Sequence, residues 1–529
     1  MRNVLLLLVL VSATCGAADR PNILFAISDD QSFPHASAYG CKWVSTPGFD
    51  RVAKSGVLFT HAFAPTPGCS PTRASILTGR HAWQNREAGT HASSFPSDLP
   101  IFTELLQSAG YFVGSTGKGW GPGNYRISGR TEPPAGKPWG SKKNAPPVKG
   151  ISRNDYASNL SVFLDDCPED KPFCFWFGAT EPHRNFEPIP NPTDDQIKDI
   201  EVPGYLPDVP QVRADLRAYA REVEWFDSHL VRMLDELQKR GELENTIVVV
   251  TSDNGMAFPR AKANVYEDGI HMPLAIAWPD RVPANRRSND MVSLIDIAPT
   301  LLEAAGLEPS ISMRGRSLLP ILKSKESGIL DPSRLAVFAA RERHSSSRYK
   351  TLGYPQRAVR TRDFLYIRNL RSDRWPAGTP RKLKADGTPA AMHGGYHDID
   401  ACPTLSLMIA NRTEPDFARC LALAVDRRPD EELYDIQADP GCLNNLADLS
   451  ELKSQKVKLA AMLSKEMIAT NDPRSRGEGD VFETYPRYSH LRRFPKPDWA
   501  KQNPEAVPKL PWFEQRTRKS KKQASGDKQ

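Results

Sequence analysis

Asn22-Ile-Leu-Phe-Ala-Ile-Ser28, followed at once by Asp29-Asp30, is an apolar run delivered into two carboxylates. Seven residues without polar alternation read as a strand buried on both faces, the habit of parallel sheets covered by helices. The same grammar recurs three times. Thr246–Ser252 runs into Asp253-Asn254-Gly255, 174–178 runs into Thr180-Glu181-Pro182-His183, and 111–116 runs into Gly117-Lys118. Ligands of open α/β sheets bind outside the carboxyl ends of the strands, so the four runs predict one sheet and one site.

Between them, 212–240 carries Leu216, Tyr219, Val223, Phe226, Leu230, Met233, Leu234 and Leu237 at three- and four-residue steps, an amphipathic helix closed by Gly241. His229 on this helix reads as a core or surface residue. Segments 120–150 and 181–212, rich in Pro and Gly, read as long loops over the strand ends. From about residue 335 the pattern changes to short strands at 335–339 and Phe364–Asn369, a loop-rich 370–430 and a helix at about 449–469. A chain of 529 residues exceeds one ordinary core. The expected division is a leader at 1–18, a large α/β domain at 19–370, a smaller C-terminal α+β domain at 371–471 and a Pro-rich basic tail at 472–529. The charge run at 516–522 reads as a flexible, solvated end.

Composition narrows the class. A hydrophobic fraction of 39% and a mean hydropathy of -0.49 describe a soluble globular protein. Arg2, the apolar run 4–11 and the small Gly16, Ala17 and Ala18 make a secretory leader too short to span a bilayer. Cys15 would suit a lipid anchor, but Ser12 stands where a Leu is wanted. The expectation is export without stable membrane insertion, to a periplasmic, secreted or lysosomal-type compartment. A formal charge of +7 suits a polyanionic partner without demanding one. No nucleic-acid signature accompanies it, and export argues against that class. Apart from Cys15 and Cys69 there are six cysteines, which an oxidising compartment would let pair in fifteen ways or leave as small buried hydrophobes.

Residues 69–80 read Cys-Ser-Pro-Thr-Arg-Ala-Ser-Ile-Leu-Thr-Gly-Arg. Pro71 suits the first turn of a helix, which places Cys69 at its N-terminus and Arg73 one turn on. Free backbone N–H groups, the helix dipole and a guanidinium then surround a reactive side chain, a site for a small oxyanion. The bland reading, a buried cysteine beside a solvated arginine, does not account for eight motif positions at once. Cys-x-Pro-Thr-Arg with x-x-x-Leu-Thr-Gly-Arg resembles the formylglycine-dependent sulfatases, in which a separate formylglycine-generating enzyme oxidises this cysteine to an aldehyde, 3-oxoalanine. The resemblance runs from Arg20-Pro21-Asn22 to Glu432-Leu433-Tyr434-Asp435 and Asp439-Pro440-Gly441.

Asp29, Asp30, Asp253 and Asn254 offer only hard oxygen donors, which suits calcium, magnesium less well, and gives no reason for zinc or copper. The resemblance implies an alkaline-phosphatase-like fold with one Ca2+ held by these four and by position 69. It also implies a hydrated aldehyde that attacks sulfur while the metal, Arg73 and Lys118 neutralise the sulfate, with His183 or Lys262 protonating the leaving group. Phe258-Pro259 and Lys262 after Asp253-Asn254-Gly255, Glu181-Pro182-His183-Arg184 and Arg213-Ala214-Asp215-Leu216 resemble the heparan N-sulfatase branch. That makes N-sulfoglucosamine the first expected substrate and O-sulfated polysaccharides the second, with His271, Arg341, His344 and Arg357 as candidates for the sugar pocket.

One position departs from the family. A histidine usually stands two residues after the Lys of Gly-Lys, and here Gly117-Lys118-Gly119-Trp120 puts Trp there. The base for the second half of the reaction is therefore missing, and His91 and His81 are the nearest replacements in sequence, each also readable as a substrate contact or surface residue. The same departure motivates the alternative of a sulfated-glycan-binding protein without turnover. A phosphodiester or phosphonate hydrolase of the same fold is a further alternative. The oligomeric state is not legible.

Overall fold

The computed structural model describes residues 20–517. The leader at 1–18 and the charge run beyond Thr517 lie outside the described residues.

Nine strands form the main sheet: β1 (Asn22–Ser28), β2 (Gly56–Phe63), β3 (Phe112–Gly117), β4 (Lys137–Pro138), β5 (Phe173–Gly178), β6 (Thr246–Ser252), β7 (His271–Ala277), β8 (Arg286–Ser288) and β9 (Val292–Ser293). Their order is β4-β3-β5-β1-β6-β7-β2-β8, with β9 paired to β2. Only β7 runs antiparallel to its neighbours, so the sheet is mixed and mostly parallel, as expected. The four strands read from sequence are adjacent, in the order β3-β5-β1-β6. Ser28 pairs with Ser252, which sets Asp29-Asp30 beside Asp253-Asn254.

Strand β1 shows why an unbroken apolar run is required. Ile23, Phe25 and Ile27 face a core with Trp176, Ala74, Leu77 and Leu301. Leu24 and Ala26 face the opposite core with Phe175, Phe177, Leu230 and Met233. Each large side chain so buried is worth about 1.5–3 kcal/mol, and a polar residue on either face would forfeit that. The predicted amphipathic helix is present as Pro210–Lys239, with proline in its first turn. Its C-terminal half covers the sheet through Leu230, Met233, Leu234 and Leu237. Val212, Leu216, Tyr219 and Val223 in its first half pack with Met256, Phe258 and Met408.

The second sheet is antiparallel, in the order β10 (Ala336–Arg341), β11 (Gln356–Thr361), β12 (Phe364–Asn369) and β13 (Glu431–Asp435). The expected boundary at 370 cuts through it, because Phe364 pairs with Asp435 and Arg368 with Glu431. The helix Lys453–Ala469 covers this sheet, Leu459, Leu463 and Met467 meeting Val359, Tyr366 and Leu433. Within 370–430 the chain also forms helices Pro403–Ala410 and Pro415–Val425.

The segment expected as a Pro-rich basic tail from 472 onward is packed on the rest of the protein at several points. Asp472 takes Arg357 Nε at 2.6 Å, Phe482 is buried, and Glu483 holds Arg374. Arg357 is therefore no sugar ligand: it is fully buried between Asp472 and Glu342, the latter at 2.9 Å. Removing one member of a buried ion network strands the others, at about 3–5 kcal/mol. Arg357→Met should lower stability by that amount in denaturant melts, and a loss under about 1 kcal/mol would show that the tail is not anchored there. All seven described cysteines are free thiols, five of them buried and Cys41 and Cys167 partly exposed. No helix among the described residues is long and apolar enough to cross a membrane.

Candidate active site

The motif helix spans Cys69–Thr78, with Gly68 as its N-cap and every residue buried. Cys69 opens it, as Pro71 predicts, and is 1% exposed. Burial pushes its thiol up to about 11, so the helix N-terminus does not make it a thiolate. Its Sγ lies within 4.8 Å of carboxylate oxygens of Asp29 and Asp253.

The carboxylates are held in place from below. Arg73, 0% exposed, donates from Nε to Asp253 Oδ2 at 2.6 Å and from Nη1 to the Lys118 carbonyl at 2.6 Å. A further donation, from Nη2, goes to the Ser28 carbonyl at 3.4 Å. The guanidinium that the resemblance assigns to the sulfate oxygens is thus engaged with the protein, and it stiffens the strand ends. Asp253 Oδ1 also accepts the Asp30 backbone N–H at 3.1 Å, across the β1–β6 seam. Burial, joined by Asp29 and Asp30, pushes the Asp253 carboxyl up to about 6 against the pull of Arg73. Asp30 has φ 77°, a left-handed conformation that a non-glycine residue rarely adopts outside constrained sites.

Two lysines reach the same carboxylates from outside. Lys118 Nζ donates to Asp29 Oδ2 at 2.6 Å. Gly117 makes the bend before it, at φ 73°, where an added Cβ would sit 2.1 Å from the Gly178 carbonyl. Lys262 Nζ bridges Asp30 at 2.6 Å and Asp400 at 2.7 Å. Burial opposes the charge on Lys118 and Lys262, but the adjacent carboxylates outweigh it and raise both above the usual lysine range. Burial likewise disfavours ionised Asp29, yet Lys118, His183, Arg73 and Lys262 hold it well below the ordinary carboxylate range. Asp29 Oδ1 and Asn254 Oδ1 are buried with no protein partner, two acceptors turned into the site.

His183 sits on the open side, its side chain 37% exposed. Its Nδ1 donates to the Arg184 carbonyl at 2.7 Å, leaving Nε2 free of that bond and 3.9 Å from Asp30. His91 Nε2 lies 3.3 Å from Cys69 Sγ, and the His344 ring packs against His91 at 4.6 Å. Burial holds His91 well below the usual histidine range and takes His344 down to about 3, so both rings are uncharged. Trp120 does not reach the cysteine. It packs edge-on to Phe95 at 5.2 Å and donates to the Ser70 carbonyl at 3.0 Å.

Of the other expected residues, His271 lies outside the site. It stacks on Phe33 at 3.9 Å and Phe63 at 4.6 Å, with Glu267 at 3.0 Å and the Thr60 carbonyl at 2.9 Å taking its nitrogens. His81 is likewise remote, paired with Glu466 at 3.0 Å and stacked on Trp83. Arg341 is buried against Asp398 at 2.7 Å. Sequence reasoning missed Asp400 and Arg487. Asp400 lies in a stretch without strand grammar, and Arg487 lies in a segment whose composition reads as a tail.

Comparison with known proteins agrees with this geometry. A family model described as Sulfatase matches residues 21–307, more than half of the chain, and one described as N-sulphoglucosamine sulphohydrolase, C-terminal, matches 260–371. The chain is 32% identical over 515 residues to the human N-sulphoglucosamine sulphohydrolase, covering 88% of this chain and 93% of that one. It is 25% identical over 503 residues to an ulvan-active sulfatase of Formosa agariphila, covering 88% and 77%. Among solved structures, BT4656 in complex with its substrate D-glucosamine-2-N,6-O-disulfate superposes with a TM-score of 0.58 at 22% identity, covering 86% of this chain and 98% of that one. BT1596, a 2-O glycosaminoglycan sulfatase, gives 0.60 at 19%, covering 90% and 99%. With the alkaline-phosphatase-like sheet, the motif helix and the two acidic strand ends in register, the chain belongs to the sulfatase family and is a sulfuric ester hydrolase.

Proposed function

We propose that this enzyme desulfates a sulfated glycan, with N-sulfoglucosamine of a heparan-type chain as its first substrate, using Cys69 matured to formylglycine and one bound calcium ion. The observation that carries the reading is the pair of unpartnered buried oxygens, Asp29 Oδ1 and Asn254 Oδ1, beside Asp253 and position 69. The donor set is oxygen-only and hard, so it fits calcium. Asp29, Asp30, Asp253, Asn254 and position 69 would hold the ion. When bound, calcium would polarise the oxygens around position 69 and offset sulfate charge.

The protein's own groups do the rest. In the finished fold burial keeps the Cys69 thiol uncharged and a poor nucleophile, which supports a reading in which the attacking group is the formylglycine made earlier by a formylglycine-generating enzyme and not the thiol itself. Lys118 and Lys262, tethered by Asp29 and Asp30, hold two ammonium groups beside the nucleophile to receive the sulfate. With Nδ1 bonded to the Arg184 carbonyl and the side chain part-exposed, His183 has Nε2 to give a proton to the departing nitrogen or oxygen. The 260–371 match and the human relative favour an N-linked sulfate. The 1–18 leader supports action after export.

The test is sulfate release from N-sulfoglucosamine and from its 6-O-sulfated counterpart, together with the mass of the peptide containing position 69. Faster release from the N-sulfated sugar, with the peptide at the aldehyde mass, is the expected result. Faster release from the O-sulfated sugar would reassign the substrate. Binding without release from either would favour a glycan-binding protein.

A further inference from the structure

The segment after Asp472 returns from the small domain to the nucleophile. Arg343 donates to the carbonyls of Tyr485 at 2.8 Å and Pro486 at 3.3 Å, and Tyr488 N–H donates to the Ala92 carbonyl at 2.7 Å. These bonds pin the chain on both sides of Arg487, which is 4% exposed. Arg487 Nη1 donates one N–H to the His344 carbonyl at 3.0 Å and shares the other between His91 Nδ1 at 3.3 Å and the His91 carbonyl at 3.4 Å. The far nitrogen of the same ring, Nε2, is the one 3.3 Å from Cys69 Sγ.

A guanidinium has five donors and no acceptor, so the ring nitrogen facing it presents a lone pair. A neutral imidazole with a bare Nδ1 carries its proton on Nε2. We infer that Arg487 is a positioning residue of the sulfatase reaction: it fixes His91 with Nε2–H turned to position 69, so that His91 donates a hydrogen bond to the oxygen there and does not act as a base. The inference rests on the proposed formylglycine chemistry. No proton leaves the ring. A preorganised donor of this kind is worth about 10²-fold or more in rate where charge develops on the oxygen it meets. It also accounts for Trp120, since His91 enters from the loop after the motif helix and is held by the C-terminal segment, where the family's usual histidine is absent.

Glutamine separates a donor from a base, because it keeps a terminal N–H and has no basic nitrogen. In the matured enzyme His91→Gln should keep kcat within about tenfold of wild type, while His91→Ala falls about 100-fold. Equal losses in both, with a burst of product before a slow steady rate, would mean a base and overturn the inference. Arg487→Met should lower kcat about tenfold at unchanged KM, with Arg487→Lys recovering part, and should add nothing in the His91→Gln background because glutamine has no tautomer to set. Additive losses would overturn the coupling. Melting curves and the aldehyde mass at position 69 separate misfolding or failed maturation from a true effect. The nitrogen-15 spectrum of His91, assigned by its absence in His91→Gln, tests the tautomer without reference to turnover. A protonated Nε2 with bare Nδ1 is expected, and the reverse pattern overturns the assignment even if the substrate reading stands. Wild-type enzyme that carries the expected tautomer yet cleaves no sulfated sugar would instead sink the functional reading.

Discussion

Cys69→Ala should release no sulfate above background from any substrate while melting close to wild type. The side chain loses a single heavy atom at a position 1% exposed, so the space left is smaller than a methylene-scale cavity and costs about 1 kcal/mol. None of the ion pairs around it involves the sulfur: Lys118 with Asp29, Lys262 with Asp30 and Arg73 with Asp253 persist. The activity loss is of another order, because alanine offers no atom to attack sulfur, and at least ~10³-fold is expected. Cys69→Ser should match it when the maturation enzyme is of the cysteine type, since a hydroxyl in place of the thiol is not converted. Turnover near wild type by either variant on an aryl sulfate would remove formylglycine from the account.

Asp253→Ala should lose both activity and stability, and that pairing distinguishes it from Cys69→Ala. Asp253 is the carboxylate that Arg73 bonds directly, and both side chains are fully buried. Without the carboxylate the buried guanidinium loses its direct ion pair, at about 3–5 kcal/mol, and the Asp30 N–H loses its acceptor as well. Chelation should abolish wild-type activity, with calcium restoring it better than zinc. Asp253→Ala should stay inactive in excess calcium. Stoichiometric zinc in fully active enzyme would overturn the metal assignment.

Much of this was readable in the chain because the chemistry hangs on local patterns. A strand buried on both faces must be apolar throughout, so β1 and β6 announce themselves and hand over their acidic ends in sequence. Strands β2 and β7 were not read. His271–Ala277 is equally buried and Gly56–Phe63 is buried except at Thr60 and His61, but they do not run into such polar ends, and nothing local records that β7 lies antiparallel. Roles set by distant partners were also hidden. Whether Arg357 meets a sugar or Asp472 depends on a residue 115 positions away, and His271 is tied by Glu267 and Thr60 rather than by a ligand. Residues 472–494 read as a tail because ion pairs and carbonyl contacts, without any periodic apolar stripe, hold them down.

The closing of residues 485–488 over the histidine behind position 69 has a consequence in time. In the finished fold an enzyme approaching the cysteine finds it sealed, 1% exposed and opening a helix that is buried throughout. Arg487 is made more than four hundred residues after Cys69. On the proposed reading, the interval between those two events, while the nascent chain lacks its last clasp, is when a modifying enzyme would reach the thiol. Chains allowed to complete folding before meeting that enzyme should stay unconverted, and supplying it afterward should not rescue them.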